Sequence, residues 1–418
     1  MISYEHARQI VTQEAQAFGG RFLSREEVSL SCAVGRVLAE PVVAPLSIQP
    51  FDNSAMDGYA VLRSDLSGAS SAHPVFLKKE GVIAAGDCAT HTALQSGTCL
   101  QIMTGAPLPQ GADAVIPVEQ VMQKDGGVAC SFCPSIGDHI RKAGADILAG
   151  TQIMLAGHRV TSSDILPLAS LGVSSVKVFR KLRVAFLATG KELVSDLSQP
   201  LQMGQIYNSN LPYAKAVLEV LGVDCVETIT IPDDAAHLVG VLKQLRTSQL
   251  DMIISSGAVS AGSFDFVRES LEETGAEILF HKVKMKPGKP NLFARLPDGV
   301  LYFGLPGNPS ATAAGLRFFV EPAIREIYRQ KPERSLRVRV ESSYRKKAGL
   351  QVFLKAKLSL KQDGGFVVTF LEGQESFMVH PFLKMNCWAV LPEESEGVQE
   401  GDFVDVYFLS ADQTLALS

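Results

Sequence analysis

The spacing of apolar and polar positions changes at about residue 181, and the following 150 residues alternate two patterns. Short apolar runs, typical of buried strands, alternate with segments in which apolar residues recur every three or four positions, as in amphipathic helices. The predicted strands are 182–188, 224–231, 250–254, 276–280 and 300–304, and the predicted helices are 211–221, 235–245, 264–274 and one that ends near residue 329. This alternation predicts a doubly wound α/β domain on a parallel sheet.

The flanking regions follow other patterns. Residues 3–19 predict an amphipathic helix, residues 29–40 a second short helix, and residues 61–123 a β-rich region of short strands and turns. A capped helix at 161–172 is followed by a strand at 173–179. After Pro332, alternating runs and the hairpin signal Gly364-Gly365 predict a separate β domain.

Composition describes an ordinary globular protein and excludes several partners. Of the 418 residues, 46% are hydrophobic and 20% charged, and the formal net charge is −5. We therefore expect neither a nucleic-acid nor a membrane partner. Seven scattered cysteines fit a reducing compartment, so we expect a cytoplasmic protein. Cys130 and Cys133 form one C-x-x-C without a second ligand pair, which favours two structural thiols over a zinc site.

Three predicted strands end in loops of small polar residues: TGKEL at 189–193, SSGAVSAGSFD at 255–265 and LPGNPSAT at 305–312. Strand ends of a parallel sheet with right-handed crossovers share one edge, where α/β proteins bind ligands. The loops and nearby turns contribute the acids Glu192, Asp233 and Asp265, and a basic loop between the last two contributes Lys282, Lys284, Lys286 and Lys289. Lysines suit phosphate and carboxylates suit Mg²⁺, so the cleft predicts a phosphorylated ligand with a divalent cation.

Two segments in the first half of the chain are also rich in polar groups. The stretch FDNSAMDGYA at 51–60 supplies Asp52, Asn53, Ser54 and Asp57, which suit either Asx turns or oxygen ligation of a cation or polar substrate. The pattern leaves both interpretations open. The segment TGAPLPQGADAV at 104–115 is a rigid Pro/Gly loop that carries Thr104.

Together, these motifs identify a family. FDNSAMDGYA, TGAPLPQGADAV, GDHIRKAGADI, TGKEL, SSGAVSAGSFDF, KPGKP and LPGNP, in this order, resemble the molybdenum insertase family (molybdopterin molybdenumtransferase, MoeA-type), which includes the gephyrin E domain. The resemblance covers essentially the whole chain. It implies an N-terminal helical domain (1–45 and 136–180), a β-rich domain (46–135), a molybdopterin-binding α/β domain (181–330) and a C-terminal β-barrel-like domain (331–418).

The resemblance also implies an activity and an assembly. Adenylated molybdopterin and molybdate would be the substrates and Mg²⁺ the cofactor; AMP would be hydrolysed off and molybdenum would enter the dithiolene to give molybdenum cofactor. The elongated N-terminal domains of one subunit would complete the site of the other in a homodimer. Molybdopterin adenylyltransferase and molybdoenzyme chaperones would be partners.

Residue roles are carried over on the matching motifs. The implied catalytic acids are Asp57, Asp146, Glu192, Asp233 and Asp265, of which the last three are candidate metal ligands. The implied substrate-binding residues are Thr104, Ser256, Gly257, Ser260, Lys282, Lys286, Lys289, Pro306, Gly307, Asn308 and Ser376.

Several positions depart from the family pattern. They are Ala145 for a glutamate, Lys191 for an aspartate, Ala258 for a glycine, Ser263 for an acid and Leu350 for an arginine, and Ser310-Ala311 follows LPGNP where valine–serine is usual. Two hypotheses remain: an active insertase, on the retained acids and lysines, or a non-catalytic or altered-specificity paralogue that carries molybdopterin or molybdenum cofactor. The additional domains disfavour a molybdopterin adenylyltransferase, and the absence of a G-x-x-x-x-G-K-[ST] motif disfavours a P-loop enzyme.

Overall fold

The computed structural model of the chain describes residues 1–88, 93–257 and 266–411. Its N-terminal part consists of short strands and two helices. The helices are α1 (Tyr4–Phe22) and α2 (Ser162–Ser170), and the strands are β1 (Arg25–Ser29), β2 (Val42–Val43), β3 (Asn53–Ser54), β4 (Gly58–Val61), β5 (Val75–Ile83), β6 (Thr98–Ile102), β7 (Ala114–Pro117), β8 (Met122–Lys124), β9 (Gly127–Cys130), β10 (Ile140–Arg141), β11 (Gln152–Met154) and β12 (Ser175–Phe179).

Most of the N-terminal elements agree with the sequence pattern. Six strands form one sheet in the order β7-β4-β6-β5-β9-β8, which confirms the β-rich region. Helix α2 begins with a capping box between Thr161 and Asp164. Helix α1 begins at the cap Ser3 and buries Ala7, Val11 and Ala15 in the core of the following α/β part.

The short helix predicted at 29–40 was wrong. Residues Arg25–Ser29 form β1, which pairs antiparallel with β12, and only the single 3-10 turn Leu30–Cys32 is helical. Gly35 then has a φ of +81°, and Leu38 forms an antiparallel β-bridge with Val178 of β12. Pairing with a distant strand therefore overrides the local helical pattern.

The α/β part alternates strands and helices as predicted. Its strands are β13 (Arg183–Thr189), β14 (Leu193–Val194), β15 (Ile206–Tyr207), β16 (Asp224–Ile231), β17 (Met252–Ser256), β18 (Glu277–His281), β19 (Met285–Lys286), β20 (Leu292–Arg295) and β21 (Leu301–Leu305). Its helices are α3 (Asn210–Val220), α4 (Ala235–Leu245), α5 (Phe266–Glu273), α6 (Pro309–Gly315) and α7 (Glu321–Ile327), the last two joined by the π-helical turn Leu316–Val320.

The central sheet is covered by helices on both faces, which confirms the doubly wound fold. Its strand order is β16-β13-β17-β21-β20-β18. Alternate residues of β13 face opposite cores, since Phe186 packs with α3 and α7 whereas Leu187 packs with α4 and α5. A strand with both faces buried is continuously apolar, as the run at 184–188 is after the exposed Arg183.

One edge of this sheet differs from the prediction. Strand β20 was not predicted, and it runs antiparallel to both β21 and β18. The sheet is therefore mixed and not purely parallel. Two reversals of direction leave β18 parallel to β21, so the basic loop after His281 emerges at the same edge as the loops after β13, β17 and β21.

The C-terminal part is a barrel-like sheet. Its strands are β22 (Leu336–Val340), β23 (Tyr344–Arg345), β24 (Gln351–Leu360), β25 (Phe366–Phe370), β26 (Cys387–Leu391), β27 (Gly397–Val398) and β28 (Phe403–Phe408). Five of them close a ring in the order β24-β25-β22-β28-β26-β24, and β19 of the preceding part extends β24. None of the helices in the described ranges is long and apolar enough to cross a membrane.

Candidate active site

A cavity of about 850 Å³ lies at the carboxyl edge of the central sheet, between the α/β part and the C-terminal barrel. It gathers most of the residues that the sequence singled out in these two parts. The predicted residues on its wall are Glu192, Asp233, Ser256, Gly257, Lys286, Lys289, Pro306, Gly307, Asn308 and Ser376. Ser260 and Asp265, on the central loop, lie outside the described residues.

The floor of the cavity requires glycine at two positions. Gly257 follows β17 with a φ of +102°, and a Cβ there would lie 2.4 Å from Thr189 Oγ1. A Cβ on Gly307 would lie 3.3 Å from the Cα of Gly257. The ends of β13, β17 and β21 are therefore in contact, and side chains at these positions would separate them.

Two carboxylates share the cavity wall. Glu192 follows β13 and folds back over its own loop, because a Cβ on Gly190 would meet its Oε1 at 2.7 Å. Asp233 follows β16 and precedes Asp234, the N-cap of α4. Within the described ranges, neither carboxylate has an ion pair or a side-chain hydrogen bond. Both are hard oxygen donors that remain available to a ligand.

The basic loop places two of its four lysines on the wall. Lys286 and Lys289 are exposed and line the cavity. Lys284 instead forms an ion pair with Glu393 of the C-terminal part, with its Nζ 2.6 Å from Glu393 Oε1. Lys282 does not line the cavity, and its carbonyl accepts a hydrogen bond from Ile2 N at 3.1 Å. The expectation that all four lysines face the cleft was therefore wrong.

Asn291 fixes the shape of this loop. Its buried side chain donates from Nδ2 to the carbonyl of Gly288 at 2.6 Å, and its backbone N–H donates to the same oxygen at 3.1 Å. Its own carbonyl accepts from Lys282 N at 2.9 Å. These bonds close the loop at its base, and Lys286 and Lys289 lie on the closed segment, on the cavity wall.

The C-terminal barrel supplies the opposite wall. Ser376, Phe377 and Leu350 line it, and Asn308 Nδ2 donates to Ser376 Oγ at 2.8 Å across the boundary between the two parts. The sequence indicated nothing catalytic in this barrel, and the family resemblance implied only Ser376 there, as a substrate-binding residue. Its role in shaping the cavity depends on tertiary contacts that no local motif records.

Sequence reasoning missed several polar residues of the wall, among them Asn208 and Asn210. Asn208 caps a helix, because its Oδ1 accepts a hydrogen bond from Leu211 N at 3.2 Å. Asn210 Nδ2, however, donates to the carbonyl of Gly307 at 2.8 Å and so holds the LPGNP loop against α3. Both residues line the cavity. A polar triplet before a helix was the available signal.

The N-terminal candidates lie elsewhere. No residue before Thr189 is on the described cavity wall. Asp57 Oδ1 accepts hydrogen bonds from Thr104 N at 2.7 Å and from Thr104 Oγ1 at 2.9 Å, and these bonds hold the pKa of Asp57 below its usual range. Asp57 and Thr104 therefore form one exposed, ionised unit, and Asp146 is exposed on a separate turn.

Asp52 illustrates the structural role of this region. Its Oδ1 accepts from Ala143 N at 2.8 Å and its Oδ2 pairs with Lys142 Nζ at 2.7 Å. These bonds lower the pKa of Asp52, with the Lys142 hydrogen bond the largest cause. Asn53 is buried beside it. For Asp52, loop stabilisation is therefore the better interpretation.

The departures from the family pattern fall in different places. Leu350 lines the cavity, whereas Lys191 is exposed and off the wall, and Ala145 is exposed on the turn that carries Asp146. Ala258 and Ser263 lie outside the described residues. Lys191 therefore adds a positive charge beside the cavity without occupying it.

Comparison with known families matches each part of the chain. Residues 2–172 match the MoeA N-terminal region (domain I and II), residues 185–326 a probable molybdopterin binding domain, and residues 337–409 the MoeA C-terminal region (domain IV). The three matches follow one another along the chain and define a MoeA-type class of protein, whose central part is similar to a probable molybdopterin binding domain.

Individual relatives cover nearly the full length. A molybdopterin molybdenumtransferase of Synechococcus elongatus is 32% identical over 407 residues, which is 97% of this chain and 99% of the relative. One of Haemophilus influenzae is 34% identical over 91% of this chain and 93% of its own. The crystal structure of a molybdopterin biosynthesis MoeA protein from Pyrococcus horikosii has a TM-score of 0.82 at 29% identity, covering 98% and 99% of the two chains. The chain belongs to the molybdopterin molybdenumtransferase family and is a transferase.

Proposed function

We propose that this protein transfers molybdenum from molybdate into adenylated molybdopterin, with hydrolytic release of AMP, to form molybdenum cofactor. The observation that carries the proposal is the cavity in which Glu192 and Asp233 share a wall with Lys286 and Lys289. A substrate with phosphate groups needs cations near its oxygens, and its hydrolysis needs a carboxylate that can orient water. The family membership supports the same reaction.

The chain's own residues would act by binding and orientation. Lys286 and Lys289 would hold anionic oxygens of the phosphates or of molybdate. Ser376 accepts its hydrogen bond from Asn308, which leaves its own proton free to donate to a substrate oxygen. Glu192 and Asp233 would orient the attacking water, and the close-packed loops at Gly257 and Gly307 let the substrate approach the backbone.

Magnesium fits the donor set of this cavity. Glu192 and Asp233 would hold the ion, and Asp265 would be the third acid. Mg²⁺ commonly takes one or two carboxylates together with waters and substrate phosphates, so two protein ligands suffice. The described residues contain no group of three His, Cys, Asp or Glu that could hold a metal ion without such help. When bound, the ion would neutralise charge on the phosphate oxygens.

We further propose a cytoplasmic homodimer. The position of Asp57, Thr104 and Asp146 off the cavity wall supports a site that a second subunit completes with these residues. A molybdopterin adenylyltransferase would supply the adenylated substrate, and molybdoenzyme chaperones would receive the product. Seven scattered cysteines support the reducing compartment.

The test is turnover of adenylated molybdopterin by the purified chain with Mg²⁺ and molybdate, following AMP release and cofactor formation together. Both products are expected, in equal amounts. Tight binding with neither product would overturn the transferase activity in favour of a carrier. AMP without cofactor would restrict the chain to the hydrolytic half of the reaction.

A further inference from the structure

Lys355, in the middle of β24, is a lysine that is only 1% exposed and has no role in the reaction above. Its ammonium group donates to Ser310 Oγ at 3.1 Å and to the carbonyls of Glu375 at 3.1 Å and Met378 at 3.2 Å. These bonds use all three N–H donors on neutral acceptors. Burial lowers the pKa of Lys355.

The same residue anchors the 371–378 loop through its backbone. Gln374 Oε1 accepts from Lys355 N at 3.0 Å, and Gln374 Nε2 donates to the carbonyls of Lys355 at 2.9 Å and Leu371 at 2.7 Å. The two carbonyls that Lys355 Nζ binds flank Ser376 on either side. One strand residue therefore fixes both ends of the short segment that carries Ser376.

The segment is also tied to the LPGNPS loop of the α/β part. Ser310 N donates to the carbonyl of Ser376 at 3.0 Å, and Ser310 Oγ donates to the carbonyl of Met378 at 3.0 Å. Asn308 Nδ2 donates to Ser376 Oγ at 2.8 Å. Lys355 lies behind this junction and contacts both sides of it.

A buried lysine at position 355 would be unfavourable if the side chain only filled space in the core. An ammonium group removed from water is unfavourable unless it is fully hydrogen-bonded, whereas methionine fills similar volume without a polar group. At Lys355 the three donors all point to the junction between the two loops. Its chemistry is therefore matched to holding the loops and not to filling the core.

We propose that Lys355 is a positioning residue that holds Ser376 on the cavity wall and so makes the C-terminal barrel a determinant of substrate affinity. This rests on the proposed function, since Ser376 is taken to donate to a substrate oxygen. Lys355 touches no substrate. It acts by keeping Ser376 and Asn308 at a fixed spacing before the substrate arrives.

The first test replaces Lys355 with methionine. Loss of one well-placed hydrogen bond to substrate corresponds to about a tenfold rise in KM, with kcat within about twofold. Lys357→Met is the matched control, because Lys357 lies on the same face of β24 and is partly exposed. Lys355→Arg keeps the charge and donors and should restore most of the affinity.

The second test separates positioning from a general loss of structure. In a Ser376→Ala background, Lys355→Met should raise KM by no more than about twofold, because its effect passes through Ser376. A tenfold effect in both backgrounds, or a fall in kcat of the same size, would overturn the inference. If Lys355→Met does not fold, Ser310→Ala removes one acceptor from the other side and should show the same rise confined to KM.

Hydrogen exchange at the Ser310 amide tests the positioning role without requiring the chain to turn over a substrate. The Ser310 amide donates to Ser376 across the junction, so its exchange should accelerate in Lys355→Met and stay unchanged in Lys357→Met. If the wild-type chain forms no product but exchange responds in this way, the proposed reaction fails and the positioning role stands. Unchanged exchange at Ser310 would overturn the positioning role whatever the turnover.

Discussion

Two regions of this chain are rich in acids, and they use them differently. In the N-terminal loops two of the acids are bonded within the subunit: Asp52 to Lys142 and to Ala143, and Asp57 to Thr104. At the edge of the central sheet, Glu192 and Asp233 have no such protein partner within the described ranges. A similar density of acids thus stabilises loops in one region and faces an open cavity in the other.

The hydrogen-bond partners of an acid distinguish a structural role from a ligand-binding one, and the sequence alone does not show these partners. An acid whose hydrogen bonds are filled by its own subunit contributes to the loop that holds it, whereas an acid left without partners on a cavity wall is available to a ligand. Asp57 lies between the two cases. It is exposed and paired only with Thr104, so a second subunit could still use its free oxygen.

The largest effect is expected for two adjacent acids with opposite roles. Asp233 lines the cavity, whereas Asp234 caps α4 by accepting from His237 N at 2.6 Å. Asp233→Ala should lower kcat by at least about a hundredfold, because it removes the carboxylate proposed to orient the attacking water or to bind the cation. The unfolding free energy should stay within about 0.5 kcal/mol, as for other surface changes.

Asp234→Ala should show the reverse. Loss of the cap should lower the unfolding free energy by about 1 kcal/mol with turnover nearly unchanged. Thermal denaturation measures the stability of both variants, and product assays measure their turnover. Equal losses of activity in the two variants would mean that the loop as a whole, and not the Asp233 carboxylate, supports the reaction.

The second prediction concerns the shared site. If Asp57 completes the cavity of the other subunit, Asp57→Asn and Asp233→Asn should each be nearly inactive. A randomly exchanged mixture should recover about a quarter of wild-type turnover, because half of the dimers are mixed and each mixed dimer has one intact site. Turnover is measured before and after subunit exchange.

The control mixes two variants whose substitutions both lie on the α/β side of the site, Asp233→Asn and Glu192→Gln. Every site in that mixture contains a defect on the α/β side, so no recovery is expected. If the Asp57→Asn mixture also fails to recover although exchange is demonstrated by mass, the site is formed within one subunit. A monomer in solution would exclude the proposed assembly altogether.

Much of the fold was predictable because both faces of the central strands are buried. The apolar run at 184–188 follows from that burial, and the apolar stripe of the helix at 235–245 follows from its packing on one face of the sheet; the structure has β13 and α4 there. The failures are elements whose conformation depends on distant partners. Residues 29–40 were predicted as a helix, but within them Val37 forms a β-bridge with Arg159 and Leu38 with Val178.

The strand-end loops of the candidate site were predictable, but the contacts that other segments make with them were not. Small polar residues after strands marked the positions of Glu192, Gly257 and Asn308, since strand ends of parallel sheets share an edge. The burial of Lys355 gave no local signal, and the contribution of Asn210 gave only a polar triplet before a helix, because each depends on a contact between segments far apart in sequence. The predicted roles of the site residues and the domain boundaries remain predictions.

The smallest effect is expected for two lysines of the basic loop, both of which the residue pattern placed in the cleft. Lys286 is exposed on the cavity wall, whereas Lys284 is paired with Glu393. Lys286→Met should raise the KM for adenylated molybdopterin about tenfold through loss of one charge-assisted contact, with the melting temperature unchanged. Lys284→Met should leave KM unchanged and lower stability by at most about 1 kcal/mol, because its ion pair is partly exposed. A rise in KM for Lys284→Met with none for Lys286→Met would mean that the basic loop turns its other side to the substrate.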